Sequence, residues 1–177
     1  MAQGDNNPNK GMAGWMIIGV WLLLFGLLTL FFQNYLDNER NPNQRINTAV
    51  GTAGAREVVL KRNRYGHYVV TGKIDGHNVE FMLDTGATQV AIPSAMAKKI
   101  GLRRLYETEI QTANGTALAY GTRLDTVSVG DIALSNIQAM ITTGMGGNTV
   151  LLGMGFLKHI EFTQRGDTLI LRQYPGQ

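Results

Sequence analysis

The 177-residue chain contains no cysteine. Disulfide bonds, a thiol nucleophile and zinc–thiolate sites are therefore excluded, and the redox compartment is left open. Histidine is scarce as well: His67, His77 and His159 are the full complement. None of them has metal-ligand spacing, so each reads as an edge or surface residue, and neither a metal nor another cofactor is expected. Charge of one sign is lacking too. Sixteen Lys and Arg face thirteen Asp and Glu, a net charge of +3 with the basic residues scattered, which gives a nucleic-acid partner little support. Two other catalytic devices are missing. Ser94 follows a proline and has no flanking elbow glycines. The Gly144-Met145-Gly146-Gly147-Asn148 stretch lacks the lysine of a phosphate loop and reads as a flexible connection.

What is present begins with a long apolar run. Residues 12–32 carry no charge and as a helix span roughly 30 Å, the thickness of a bilayer core. Trp15 and Tyr35 stand near its ends, where amphipathic rings favour the interface. A cleaved signal peptide is the competing reading, but no small-x-small pattern follows Phe32, so a single-pass membrane anchor is favoured. Lys10 precedes the run and Arg40 and Arg45 follow it, so charge does not decide orientation. Residues 1–11 are polar and read as a disordered tail. Residues 33–56, rich in Asn and containing proline, read as a flexible tether, with an ordered first strand as the alternative.

From residue 57 onward, 22 glycines overall and short apolar runs between turn signals indicate an all-β domain with one or two short helices. Residues 68–74 alternate, Asp75-Gly76 turns, and residues 79–83 return. A helix is expected over residues 94–100, with Ser94 as cap and Gly101 as stop. Residues 107–113 and 116–120 form a second hairpin around Asn114-Gly115, placed to act as a lid. Residues 124–129 and 132–141 follow as strands, and a last hairpin turns at residues 164–167, where Arg165-Gly166-Asp167 reads as a plain turn.

The return strand over residues 79–83 runs directly into Asp84-Thr85-Gly86-Ala87, and a second apolar strand, residues 88–92, leaves it. A carboxylate at the end of a buried strand is costly unless hydrogen-bonded or sharing its charge. The neighbouring threonine can lock the loop through its hydroxyl, and glycine lets the backbone turn tightly beside a substrate. Such a loop suits a carboxylate held against an attacking water.

Four stretches together resemble the retropepsin-like aspartic proteases, in particular the membrane-anchored single-lobe bacterial members. They are Phe81-Met82-Leu83-Asp84-Thr85-Gly86-Ala87-Thr88, Gln111-Thr112-Ala113-Asn114-Gly115-Thr116, Val150-Leu151-Leu152-Gly153 and Met154-Gly155-Phe156-Leu157. The similarity covers residues 65–171. It departs from viral members over residues 161–171, beyond the point where those chains end. The resemblance implies a single-lobe β-barrel over residues 57–177 and a polypeptide substrate. Asp84, Thr85 and Gly86 would form the catalytic loop, with Thr85 bonded across a two-fold axis. Ala87 and the flap residues Thr112, Ala113, Asn114 and Gly115 would lie against substrate, and residues 150–153 would thread beside the loop. It also favours a catalytic domain outside the cytoplasm, in the periplasm of a Gram-negative host.

Peptide hydrolysis by this route needs two carboxylates around one water. The near match Leu124-Asp125-Thr126-Val127 has valine where the turn needs glycine and lies only 41 residues after Asp84 (125 − 84). Asp125 is therefore read as a surface carboxylate. The second Asp84 must come from another copy, giving a homodimeric, membrane-anchored aspartic endopeptidase. The alternative is a non-catalytic peptide-binding or assembly module of the same fold.

Overall fold

The computed structural model describes residues 9–112 and 115–176. The chain divides into two units at Asn38. The first is α1 (Asn9–Arg40) as far as Asn38. Its described side chains are exposed around the whole circumference, and a helix apolar on every side has no single face to bury against a domain. The helix over Gly14–Arg40 is long and apolar enough to cross a bilayer, and an 18-residue window within it has a mean hydropathy of 2.4.

The second unit is almost entirely β. In chain order it comprises β1 (Thr48–Val50), β2 (Arg56–Lys61), β3 (Val69–Ile74), β4 (His77–Leu83), β5 (Val90–Pro93), α2 (Ser94–Lys99), β6 (Tyr106–Thr112) and β7 (Gly115–Val129). There follow β8 (Ile132–Thr142), β9 (Thr149–Leu152), α3 (Met154–Leu157), β10 (Glu161–Arg165) and β11 (Thr168–Gln173). Seven strands pair in the order β3-β4-β9-β5-β8-β7-β6, and β3 also pairs with β7 through Lys73–Ser128 and Ile74–Val127. That extra pairing closes six strands into a barrel and leaves β6 as an extension of β7. The expected all-β barrel is thus the observed one. Its core is filled by inward residues of the strands, among them Phe81, Ile92, Leu124, Ile141 and Leu152, together with Phe156 of α3. Each such side chain contributes about 1.5–3 kcal/mol by leaving water. Gly72 makes the barrel possible where β3 and β7 meet, because a Cβ there would lie 2.3 Å from the Ser128 carbonyl oxygen.

α2 corrects one expectation. Ser94 does not cap it; its hydroxyl donates to the Thr142 carbonyl at 3.2 Å, and Pro93 occupies the capping position. Gly101 does end the helix, at φ +74°, with Leu102 N–H bonded to the Ala97 carbonyl.

A larger correction concerns residues 33–56, expected as a flexible tether. The helix runs on to Arg40, and the segment behind it is built into the domain. Asn43 is buried; its side-chain N–H groups donate to Lys61 O and Val69 O at 2.9 and 2.7 Å, and its Oδ1 accepts Lys61 N–H at 2.8 Å. Asn41, also buried, donates to Thr71 Oγ1 and accepts the Asn43 amide. Arg40 Nη2 reaches Glu80 on β4 at 2.8 Å and Thr149 on β9 at 2.9 Å. Composition alone misleads here, because an Asn-rich run looks solvated until β3 supplies the backbone groups that satisfy it. Asn43→Ala leaves Lys61 and Val69 with unpaired polar groups and should lower stability by about 2–4 kcal/mol. Denaturant unfolding of the full chain in detergent measures this.

The other sheet has the order β1-β2-β11-β10. Leu60, Leu169 and Leu171 on its inner face join the core, while its outer face carries a row of charge. Arg172 Nε donates to Glu57 at 2.7 Å and its Nη1 to Glu161 at 3.0 Å, and the Tyr174 hydroxyl donates to Glu161 at 3.0 Å. The hydrogen bond from Tyr174, followed by that from Arg172, holds the Glu161 carboxyl below its ordinary value. The same bond to Glu161 raises the Tyr174 hydroxyl above its own. A lowered carboxyl stabilises the fold above its unfolded value of about 4.5, and that contribution is lost as pH falls through the lower, folded value. Tyr174→Phe therefore weakens the domain near neutral pH and moves its acid-unfolding midpoint upward, as circular dichroism against pH will show. Arg165-Gly166-Asp167 is the β10–β11 turn, tied down by an Arg62–Asp167 ion pair.

Candidate active site

β4 ends at Leu83, and its last residues pair in parallel with β9: Met82 with Leu151 and Leu83 with Leu152. β9 also meets β5 through Ala91 and Leu151. It therefore lies between the strand that enters the Asp84 loop and the strand that leaves it. This is the threading expected for residues 150–153. The Asp84 amide donates to the Leu152 carbonyl at 3.2 Å, so the loop starts from a fixed point on β9.

Inside the loop the backbone turns at once. Ala87 N–H bonds the Asp84 carbonyl at 3.2 Å, and the Asp84 carboxylate accepts Gly86 N–H at 2.9 Å through Oδ1. Its Oδ2 makes no bond among those found for the described residues. Asp84 is half-buried, whereas Thr85 and Gly86 are exposed. A Cβ on residue 86 would stand 3.2 Å from Asp84 Oδ1, so glycine keeps the carboxylate accessible. The Thr85 hydroxyl is expected to lock the loop, but within one chain the lock is the Asp84 carboxylate itself.

Behind the loop sits α3. Met154 N–H donates to the Ala87 carbonyl at 2.8 Å, and Phe156 and Leu157 N–H both reach the Gly153 carbonyl. Gly153 has no room for a side chain: a Cβ would be 2.3 Å from Gln89 O and 2.4 Å from Ala87 O. A Cβ on Gly155 would come within 3.2 Å of the Gln89 Cα. These two glycines let the helix rest directly on residues 87–89. The contribution of Gly155 and Gln89 was not evident from sequence, although the Gly-x-Gly spacing at an apolar helix start was its available signal.

The expected lid is the β6–β7 hairpin, paired from Tyr106–Gly121 to Thr112–Gly115. Ala113 and Asn114, expected to contact substrate, lie outside the described residues. Gly115 has φ +104°, as a hairpin turn requires. The Tyr106 ring lies over Gly121, where a Cβ would meet ring atoms at 2.2 Å. At the hairpin's base, Thr143 N–H and its hydroxyl both bond the Leu118 carbonyl, at 3.2 and 2.9 Å. The hairpin is thus joined to the residue that follows β8. Val90, Ile92 and Ile141 are buried in the core.

Among the described residues, the other candidates considered from sequence form no rival centre. Asp125 is exposed in the middle of β7, and His67, His77 and His159 are exposed. Among the described residues no cluster of three or more His, Asp or Glu could hold a metal ion.

A closed barrel with one Asp-Thr-Gly loop braced by an interleaved strand defines a single-lobe acid-protease fold. Residues 70–159, just over half of the chain, match the family described as "gag-polyprotein putative aspartyl protease". The chain belongs to that family of retropepsin-like aspartic proteases. A crystal structure of a retropepsin-like aspartic protease from Rickettsia conorii superposes with a TM-score of 0.58 at 31% identity, covering 65% of this chain and 98% of that one. An uncharacterized protein in the cobV 5' region of Sinorhizobium sp is 37% identical over 67% of this chain and 53% of its own length. The uncharacterized protein RP867 of Rickettsia prowazekii (strain Madrid E) is 32% identical over 73% and 55%, respectively. The chain spans about half the length of these two curated relatives.

Proposed function

We propose that the protein is a membrane-anchored aspartic endopeptidase that works as a homodimer, with Asp84 of each copy forming the catalytic pair. The observation that carries this reading is the Asp84 loop. It is fixed to β9 at its start, braced by Gly153 and α3 behind, and presents one half-exposed carboxylate per chain. Two such carboxylates close together cannot both ionise easily, so the pair holds one proton between them. The ionised member takes a proton from the bound water as its oxygen attacks the scissile carbonyl carbon. The protonated member donates to the carbonyl oxygen. The C–N bond then breaks as the leaving nitrogen accepts a proton, releasing an amine and a carboxylate. Thr85, exposed at the tip, is available to bond across the two-fold axis, and Ala87, Thr112, Ala113, Asn114 and Gly115 are the substrate-facing positions.

The helix over Gly14–Arg40 acts as the anchor, with the catalytic domain on the extracytoplasmic side, the periplasm in a Gram-negative host. Arg40, Asn41 and Asn43 belong to the domain itself. The test is digestion of an unstructured protein by the full-length chain in detergent from pH 4 to 7, with mass spectrometry of the products. Endoproteolytic fragments in a dimeric preparation support the reading. Dimers that retain peptide without cutting it would support the binding-module alternative instead.

A further inference from the structure

Four of the sixteen Lys and Arg fall within residues 98–104, as Lys98, Lys99, Arg103 and Arg104, and no acidic residue stands between Asp84 and Glu107. All four are exposed, and none joins an ion pair among the described residues. Their backbone is held in place. Leu102 N–H bonds the Ala97 carbonyl at 2.9 Å behind α2, the Thr122 hydroxyl donates to the Arg103 carbonyl at 2.7 Å, and Leu105 N–H bonds the Gly121 carbonyl at 2.9 Å. The Arg104 guanidinium lies over the Tyr120 ring, 4.2 Å from its centre. Between the cations, Ile100 and Leu102 are partly buried and pack on the core. Leu105 and Tyr106 are not covered in this way. They are 58% and 57% exposed, and among the described residues outside α1 no other two consecutive large apolar side chains are left in solvent.

We propose that this surface, from the end of α2 into the start of β6, docks on the anionic headgroups of the bilayer. This rests on the anchor reading above and adds a second point of attachment to it. Clustered cations beside exposed aliphatic and aromatic side chains match the two layers of a membrane surface, charge outside and hydrocarbon beneath. A tyrosine ring favours the boundary between those layers. Lys and Arg keep their charge among the headgroups while their stems lie along the apolar layer. An acidic polypeptide segment satisfies the cations alone and leaves Leu105 and Tyr106 in water. A polybasic patch holds a free protein weakly, but a transmembrane helix keeps the bilayer at high effective concentration, so the patch has only to supply a second, weaker hold. Each unpaired cation close to an anionic surface strengthens that hold about fivefold.

The absence of cysteine makes a direct test possible, since Leu105→Cys places a single thiol in the chain for an environment-sensitive fluorophore. Full-length labelled protein is reconstituted into vesicles of phosphatidylcholine alone, or of three parts phosphatidylcholine to one part phosphatidylglycerol, both carrying a spin-labelled lipid as quencher. Quenching should be at least about fivefold stronger with phosphatidylglycerol and should fall as salt is raised. It should be lost when Lys99→Glu and Arg103→Glu are added, with thermal unfolding unchanged. Washing with alkaline carbonate reads the anchor separately: protein that washes out of the vesicles would remove the anchor reading and this one with it. Protein that resists washing yet shows no quenching, or equal quenching without phosphatidylglycerol, would overturn the docking surface and leave the anchor standing. A fluorescence change caused by polyglutamate and not by phosphatidylglycerol would also overturn it, assigning the surface to an acidic polypeptide.

Discussion

Asp84→Asn abolishes cleavage while the domain stays folded. Asparagine has the same shape, and its side-chain oxygen still accepts the Gly86 amide that the aspartate accepts at 2.9 Å. What it removes is the ionisable group, and in a homodimer it removes both at once. Without a base to take the water's proton or an acid to protonate the carbonyl oxygen, the rate should fall by at least about a thousandfold. Thermal unfolding should move little, because Asp84 is half-buried and its backbone bond to Leu152 is untouched. The two measurements together separate loss of chemistry from loss of structure. Activity surviving in the variant would remove Asp84 from the mechanism.

The second large effect comes from a residue that touches no substrate. Gly153→Ala forces a methyl group to within 2.3 Å of Gln89 O and 2.4 Å of Ala87 O. Both are backbone atoms, so no rotamer change relieves the clash. Ala87 O already accepts Met154 N–H, and Ala87 N–H already bonds Asp84 O. Relief therefore has to come from moving the loop. Overpacking of this kind costs about 1–3 kcal/mol or somewhat more. Gly72→Ala is the matched control: its Cβ would be 2.3 Å from Ser128 O and 2.8 Å from the Phe81 ring, at the β3–β7 seam outside the Asp84 loop. Both variants should lose comparable stability. At a temperature where both remain folded, Gly153→Ala should lose at least about a hundredfold in activity, since small misplacements of catalytic groups have that effect. Gly72→Ala should stay within a few-fold of the parent.

Much of this arrangement can be read from residue order. Alternation over residues 68–74, the Asp75-Gly76 turn and the apolar return strand fix β3, β4 and the position of Asp84, because each signal is local. The turn at Gly130-Asp131 is legible for the same reason, with Gly130 at φ +59°. Contacts between distant segments are less visible. Asn41 and Asn43 look like solvated linker residues until β2 and β3 present backbone groups to them. Ser94 looks like a helix cap until the Thr142 carbonyl competes for its hydroxyl. Gly155 stands in the sequence only as part of the Met154-Gly155-Phe156-Leu157 stretch, and its packing value appears only once α3 rests against Gln89. The catalytic loop is thus written in a single run of sequence, while what braces it comes from segments some seventy residues later in the chain.

The closest test of the central claim, one site built from two chains, is a mixing experiment. Full-length wild type and Asp84→Asn are combined in detergent at varying ratios, allowed to exchange subunits, and assayed at constant total protein. If each active site takes one Asp84 from each copy, and mixed dimers are inactive, activity follows the square of the wild-type fraction. An equal mixture then retains about one quarter of full activity. A linear decline, with about half the activity left at that ratio, would show that a single chain holds a complete site and would contradict the account.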